Sequence, residues 1–236
     1  MEKDFRPYLS LLKNTSLFYG IDPEDLAAML NCLQAEQKTF KKNESIYRVG
    51  DTAEAVGLVL AGKVCIFQDD FWGNRSILDH AGPGQMFGEA YACLQTEEMQ
   101  VSVTALEQTE VLLLDVKRIL HTCTSACSFH QRLLRNLMQT LAQKNLLLTR
   151  KVQHMSRRTL REKLLSYLSA CSQACRSQSF TIPFNRQQLA DYLSVDRSAM
   201  SSTLSRLREE GILEYEKNHF VILKESRTDR SDLPLE

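Results

Sequence analysis

Between Val195 and Gly211 the chain reads VDRSAMSSTLSRLREEG, a stretch dominated by short hydroxyls and guanidiniums: Arg197, Ser198, Ser201, Ser202, Ser205 and Arg206. Met200, Leu204 and Leu207 recur at i, i+4 and i+7, so on a helix they form the buried stripe and leave those polar residues on the remaining face. Serine does little for helix stability, because its hydroxyl competes for backbone partners. It does suit a surface that must come close to another: the roughly 12 Å major groove of duplex DNA takes short donors and acceptors, with arginine to match O6 and N7 of guanine. The plainer alternative is a small helical hairpin with a solvated serine face.

The neighbouring residues favour the groove. Asn185 and Gln188 have the spacing of a capping box, which predicts a short helix over 186–193 with Leu189, Ala190 and Leu193 facing inward. Val195 is the apolar residue of the turn. Asp196 can cap the serine helix, and Gly211 can end it in the left-handed conformation. ILEYEKNHFVIL then reads as two strands joined at 216–219, and ahead of the pair RRTLREKLLSYLSACS is an amphipathic helix with Leu160, Leu164, Leu165 and Leu168 on one side. Two helices, a tight turn and a hairpin make a winged helix-turn-helix.

From about 128 to 155 the sequence is helical without Gly or Pro. Leu134, Met138, Leu141, Asn145, Leu148, Val152 and Met155 alternate spacings of four and three, the a/d stripe of a two-stranded coiled coil, which predicts a parallel homodimer. Asn145 in the seam would fix register, and Leu133, Leu137 and Leu147 form a second strip for packing on the chain's own domain. Upstream, SIYRVGD, AVGLVLAGKVCIFQDD, GNRSILDHAGPGQMFGEAY and VSVTALEQTEVLLLD read as short strands broken by turns, the mark of a small barrel or roll. DPEDLAAMLNCL before them reads as a helix capped by Asp22, with Pro23 at its first position. The fold class expected is α+β: a jelly-roll-like β-roll at 1–121, a dimerisation helix at 122–155, a winged helix-turn-helix at 156–226 and a polar tail at 227–236.

Composition narrows the class. Of 236 residues, 43% are hydrophobic and 25% charged, as in ordinary globular proteins. No apolar run approaches the ~20 residues of a membrane span, and the charged start MEKDFRPYLS is unlike a signal peptide, so the expected location is the cytoplasm. The zero net charge hides an asymmetry: residues 1–149 carry 14 Lys and Arg against 18 Asp and Glu, residues 150–225 carry 13 against 8. A basic module on an acidic body points to a polyanion as partner of the C-terminal part. The seven cysteines, with Cys123/Cys127 and Cys171/Cys175 at i, i+4, are expected as free thiols. A metal-dependent enzyme on a roll needs converging ligands, and the roll region has one histidine, His80.

The order of parts resembles the Crp/Fnr family of bacterial transcription regulators, from about Phe18 to Leu223. GDTAEAVGLVLAGKVCIF with Gly62 looks like the family's strand-turn-strand, PGQMFGEAYACL with Gly88 and Glu89 like its phosphate-binding cassette, and LADYLSVDRSAMSSTLSRLREEGIL like its recognition motif. The resemblance implies a dimer whose roll senses a small molecule and whose long helices relay it to two modules on a palindrome, working with RNA polymerase. Arg197 matches the family's guanine-reading arginine. Ser198 and Ser202 stand where the family often has Glu and a second Arg.

The cassette departs from the pattern. Cyclic-AMP-binding members have an Arg-Ser pair on the phosphate, and this chain has Met99 and Gln100, which would leave that phosphate poorly compensated. An iron-sulfur cluster is not expected, since Cys32 is the only cysteine before residue 65, nor is haem, since His80, His121 and His130 offer no arrangement of axial ligands. No cofactor is therefore expected. The resemblance leaves an unidentified effector, apolar or aromatic, against Phe87, Gly88, Glu89, Ala90, Met99 and Gln100 and the long helix near Leu148 and Thr149. Phe87, Tyr91 and Met99 can either line such a pocket or fill it. If they fill it, the roll is only a dimer scaffold.

Overall fold

The computed structural model describes residues 5–120 and 128–223. His121, Cys123, Cys127 and the tail at 227–236 lie outside the described residues. The chain forms two compact units, Met1–Lys144 and Asn145–Glu236, so the division falls inside the long helix, about three turns before its end and ahead of the boundary expected at 155–156.

In the first unit, helices α1 (Leu9–Leu12) and α2 (Pro23–Cys32) precede a roll of two antiparallel sheets. One has the order β1 (Glu36–Phe40), β8 (Thr109–Asp115), β3 (Ala55–Ala61), β6 (Met86–Phe87); the other β2 (Ser45–Tyr47), β7 (Ser102–Ala105), β4 (Val64–Asp69), β5 (Arg75–Ala81). β3 and β8 pair over Ala55↔Asp115 to Val59↔Val111, and their alternating Val and Leu side chains are buried on both faces of the sheet. Helix α3 (Glu89–Leu94) follows β6, and α4 (Val116–Leu120) follows β8. Pro23 stands at the first position of α2 as expected, but Asp22 accepts no side-chain capping bond.

Helix α5 runs Ser128–Met155, the span its periodicity predicts. In the first unit Leu133 and Leu137 are fully buried, and Asn136 Nδ2 donates to the carbonyls of Leu17 and Tyr19 at 2.9 Å each, so the helix is bolted to the segment ahead of α2 by packing and by hydrogen bonds. Leu147 does not join that strip: it is exposed, because it lies beyond the first unit's core.

The second unit holds α6 (Leu160–Cys175), α7 (Arg186–Leu193), α8 (Arg197–Glu209) and a sheet of order β10 (Leu213–Glu216), β11 (His219–Ile222), β9 (Ser179–Thr181). Its core joins Leu164, Leu168, Leu189, Leu193, Met200, Leu204, Leu207 and Phe220. The expected polar connector after α6 contains β9, a third strand of the wing, whose Phe180 stacks on Phe220 with 6.3 Å between ring centroids. Among the described residues no helix is long and apolar enough to cross a membrane.

Candidate nucleic-acid interface and sensor cassette

The interface begins with two caps. Asn185 Oδ1 accepts from Gln188 N at 2.9 Å while the Gln188 side chain accepts from Asn185 N, closing the box that starts α7. Ser194, with φ +52°, ends that helix and turns the chain. Asp196 Oδ1 then accepts from Ala199 N at 2.8 Å and starts α8. The Ser198 hydroxyl and that backbone N–H hold the Asp196 carboxyl below its ordinary value. Gly211, with φ +68°, takes the left-handed conformation after α8, as expected.

Met200, Leu204 and Leu207 are fully buried, and the remaining face of α8 is sorted by what its hydroxyls do. Arg197, Ser198, Ser202 and Arg206 are exposed, whereas Ser201 and Ser205 are half-buried on the flank. Ser201 Oγ donates to the Arg197 carbonyl (3.0 Å) and Ser205 Oγ to the Ser201 carbonyl (3.2 Å), the bond back to i−4 that mid-helix serines favour. Ser205 also lies 3.5 Å from the Tyr215 hydroxyl of the wing. Ser198 Oγ is engaged by Asp196 at 2.5 Å. Ser202 is thus the one serine of this face whose hydroxyl has no intramolecular partner among the described residues. The predicted face contracts to Arg197, Ser198, Ser202 and Arg206, with Ser201 and Ser205 bonded inward.

Two further contributions carry little signal in the sequence. The Arg186 guanidinium lies 4.7 Å from the Tyr215 ring centroid and 5.1 Å from that of Phe220, clamping α7 to the wing. Burial pushes its pKa down. His219 bridges Ser179 Oγ (3.1 Å) and Thr181 Oγ1 (3.0 Å), tying β11 to β9. The alternation Ser-Phe-Thr-Ile at 179–182 was the available signal for that strand.

The cassette is closed. Phe87 (1% exposed) packs its ring on β3, where a Cβ at Gly57 would come within 2.2 Å of it; only glycine fits there. Tyr47 meets the same ring edge-on at 6.4 Å between centroids. Met99 has no exposed surface at all, and a side chain untouched by a water-sized probe lines no void that could hold a ligand. Ala90 and Gln100 are exposed. Leu148 (63% exposed) and Thr149, whose hydroxyl donates to the Asn145 carbonyl at 2.9 Å, belong to the second unit and stand in solvent. Within the first unit the apolar members of the expected pocket, Phe87 and Met99, fill space. A cleft of about 390 Å³ opens elsewhere in this unit, between Glu36, Lys38, Phe40, Ile46, Tyr47 and Glu54 among others, and none of the predicted pocket residues lines it.

Lys144, one turn before Leu148 on the long helix, reaches the cassette. Its Nζ lies 2.5 Å from Glu89 Oε1 and 3.1 Å from the Met86 carbonyl. The i, i+4 relation to Leu148 marks the shared helix face in the sequence.

On the proposed seam Met138, Leu148 and Val152 are more than 60% exposed, Asn145 is exposed and Met155 half-buried. Leu134 and Met138 line an open apolar groove of about 500 Å³ with Gln131, Arg135, Gln139 and Ala142. Leu141 departs from a pure seam position, packing partly on the first unit's core.

A roll bearing a cassette followed by a winged helix-turn-helix defines a DNA-binding regulator with a sensor-type domain. Residues 37–125 match the model of the cyclic nucleotide-binding domain and residues 162–227 that of the Crp-like helix-turn-helix domain. The chain is 34% identical over 103 residues to the cyclic AMP receptor protein of Thermus thermophilus, 44% of this chain and 46% of that protein, so this match spans about half of that relative. It is 24% identical over 219 residues to the transcriptional activator protein FnrA of Stutzerimonas stutzeri, 90% of this chain and 86% of that protein. Among solved structures, the c-di-GMP responsive global regulator CLP of Xanthomonas campestris shares the fold, with a TM-score of 0.54 at 20% identity over 86% of this chain and 100% of that one. The chain belongs to the Crp/Fnr family of transcription regulators, and is a DNA-binding regulator rather than an enzyme.

Proposed function

We propose that the protein is a homodimer that reads a palindromic DNA site with α8 of each copy and acts on transcription with RNA polymerase in the cytoplasm. One observation carries this reading: Arg197, Ser198, Ser202 and Arg206 are exposed on a helix whose opposite side is fully packed, a rigid edge suited to a groove. The Leu134–Met138 groove and the exposed seam of α5 support the dimer, since a second copy of the helix would cover both. A two-fold pair then presents two α8 helices to half-sites about one helical turn apart.

The effector of this regulator is a small molecule other than cyclic AMP. By the family resemblance, Met99 stands where cyclic-AMP-binding members carry their phosphate-binding guanidinium, and it is buried and uncharged. A second reading, in which the roll is a ligand-independent scaffold, is favoured by the packing of Phe87 and Met99. The experiment is a selection of bound sequences from random duplex DNA, with and without cell metabolites, alongside sedimentation of the free protein. A palindrome enriched by a dimer is expected. A monomer, or recovery of unrelated sequences at low salt, overturns the proposal, and enrichment indifferent to metabolites selects the scaffold reading.

A further inference from the structure

Glu89 is buried, and a buried carboxylate is stable only beside a cation with its lone pairs engaged. In this chain the cation is Lys144. Its ammonium meets two acceptors, Glu89 Oε1 at 2.5 Å and the Met86 carbonyl at 3.1 Å, so a carboxylate and a backbone oxygen converge on one nitrogen. That arrangement recognises an N–H₃⁺ group. It is equally a barrier to anions, since the two oxygens facing the nitrogen are both acceptors.

The occupant is also displaceable. The Lys144 side chain is 40% exposed and carries its charge on a flexible four-carbon stem, so it can leave toward water without unpacking the roll. Glu89 has no such freedom. A molecule that competes for the place must therefore bring a positive charge with N–H donors, or it leaves a buried carboxylate alone.

We propose that the cassette is an ammonium site, filled at rest by the chain's own Lys144, and that the effector able to act on it carries a primary ammonium group. This rests on the reading of the roll as a sensor and names the ligand class of that same site. Displacing Lys144 frees α5 from the cassette at the point where the first unit ends, which is how occupancy would be felt by the helix that continues into the second unit.

The test is chemical rescue of the full chain. Lys144→Ala removes the resident cation, and propylammonium chloride is added while the melting temperature is followed. The variant should melt below the wild type and recover by about 3 to 5 °C at tenfold saturation, along a saturable curve. Sodium chloride and sodium propionate at equal ionic strength should give no such recovery, and Lys144→Ala/Glu89→Gln should not respond to propylammonium. A response that is absent, linear, or equal in the double variant overturns the proposal. Should Lys144→Ala fail to fold, Lys144→Ser leaves the same space with a small polar side chain and is read in the same way. Because melting is measured without DNA, an intact amine response in a protein that binds no duplex would sink the regulator reading and leave this one standing.

Discussion

In α8, Arg197, Ser198, Ser202 and Arg206 stand in solvent on a helix whose other side is locked by Met200, Leu204 and Leu207. In the cassette, Phe87 and Met99 are buried and the charge of Glu89 is met by Lys144. Both regions carry family motifs, yet one leaves four polar side chains exposed and the other has matched its charge within the chain. A helix that must enter a groove of fixed width is constrained by an external geometry, so its residues stay exposed and short. A pocket is constrained only by whatever fills it, and side chains of the chain itself can do the filling.

The contrast is broken most forcefully by taking away the rigid backing of α8. Leu204→Ala deletes a fully buried side chain between α8 and the rest of its unit and should cost about 2–5 kcal/mol, read as a lower midpoint in urea. DNA affinity should fall with it. If affinity survives such a loss, the face does not need a rigid edge and the comparison with the cassette fails.

Next in size is the face itself. Arg197→Ala should weaken specific binding by about 1–3 kcal/mol and relax the preference at one base pair per half-site. Binding titrations on variant operators decide it: equal loss on all of them would assign Arg197 to phosphate rather than to a base. The serines sharpen this further. Ser202 has an uncommitted hydroxyl and Ser201 a committed one, so Ser202→Ala should cost about 1 kcal/mol of DNA affinity while Ser201→Ala leaves it unchanged. The reverse order would show that bonds to the i−4 carbonyl open on binding.

How much of this was readable in the sequence follows the same division. The span of α5, the capping box at Asn185, the cap at Asp196 and the stop at Gly211 depend on neighbours within a few residues, and the chain states them directly. β9 is not legible because three residues give too short an alternation against a polar background, and its strand character comes from pairing with β11. The Lys144–Glu89 pair joins residues 55 apart, and no periodicity reports a contact of that range. The serine face was legible as a surface but not in its parts, because which hydroxyl turns back to the helix depends on rotamers and on the wing beside it.

The smallest expected effect concerns the junction of α5 and α6 within the second unit. His154 is buried, its Nδ1 lies 2.8 Å from Ser166 Oγ, and its ring meets Tyr167 edge-on at 5.8 Å. Burial first, and then the charges of Arg157 and Arg150, lower its pKa from the ordinary 6.5. The unfolded chain therefore takes up a proton on this residue at a higher pH than the folded one does. Above 6.5 both states are neutral there and the residue makes no pH-dependent contribution; as the pH falls below 6.5 toward the lower folded value, the unfolded state is favoured and stability declines. His154→Gln, which keeps a partner for Ser166 and cannot be protonated, should flatten that part of the stability profile between pH 7 and pH 5. An unchanged profile would mean that the imidazole keeps its ordinary pKa in the folded protein, and that the second unit, unlike the cassette with its matched charge, gains nothing from His154 in this range.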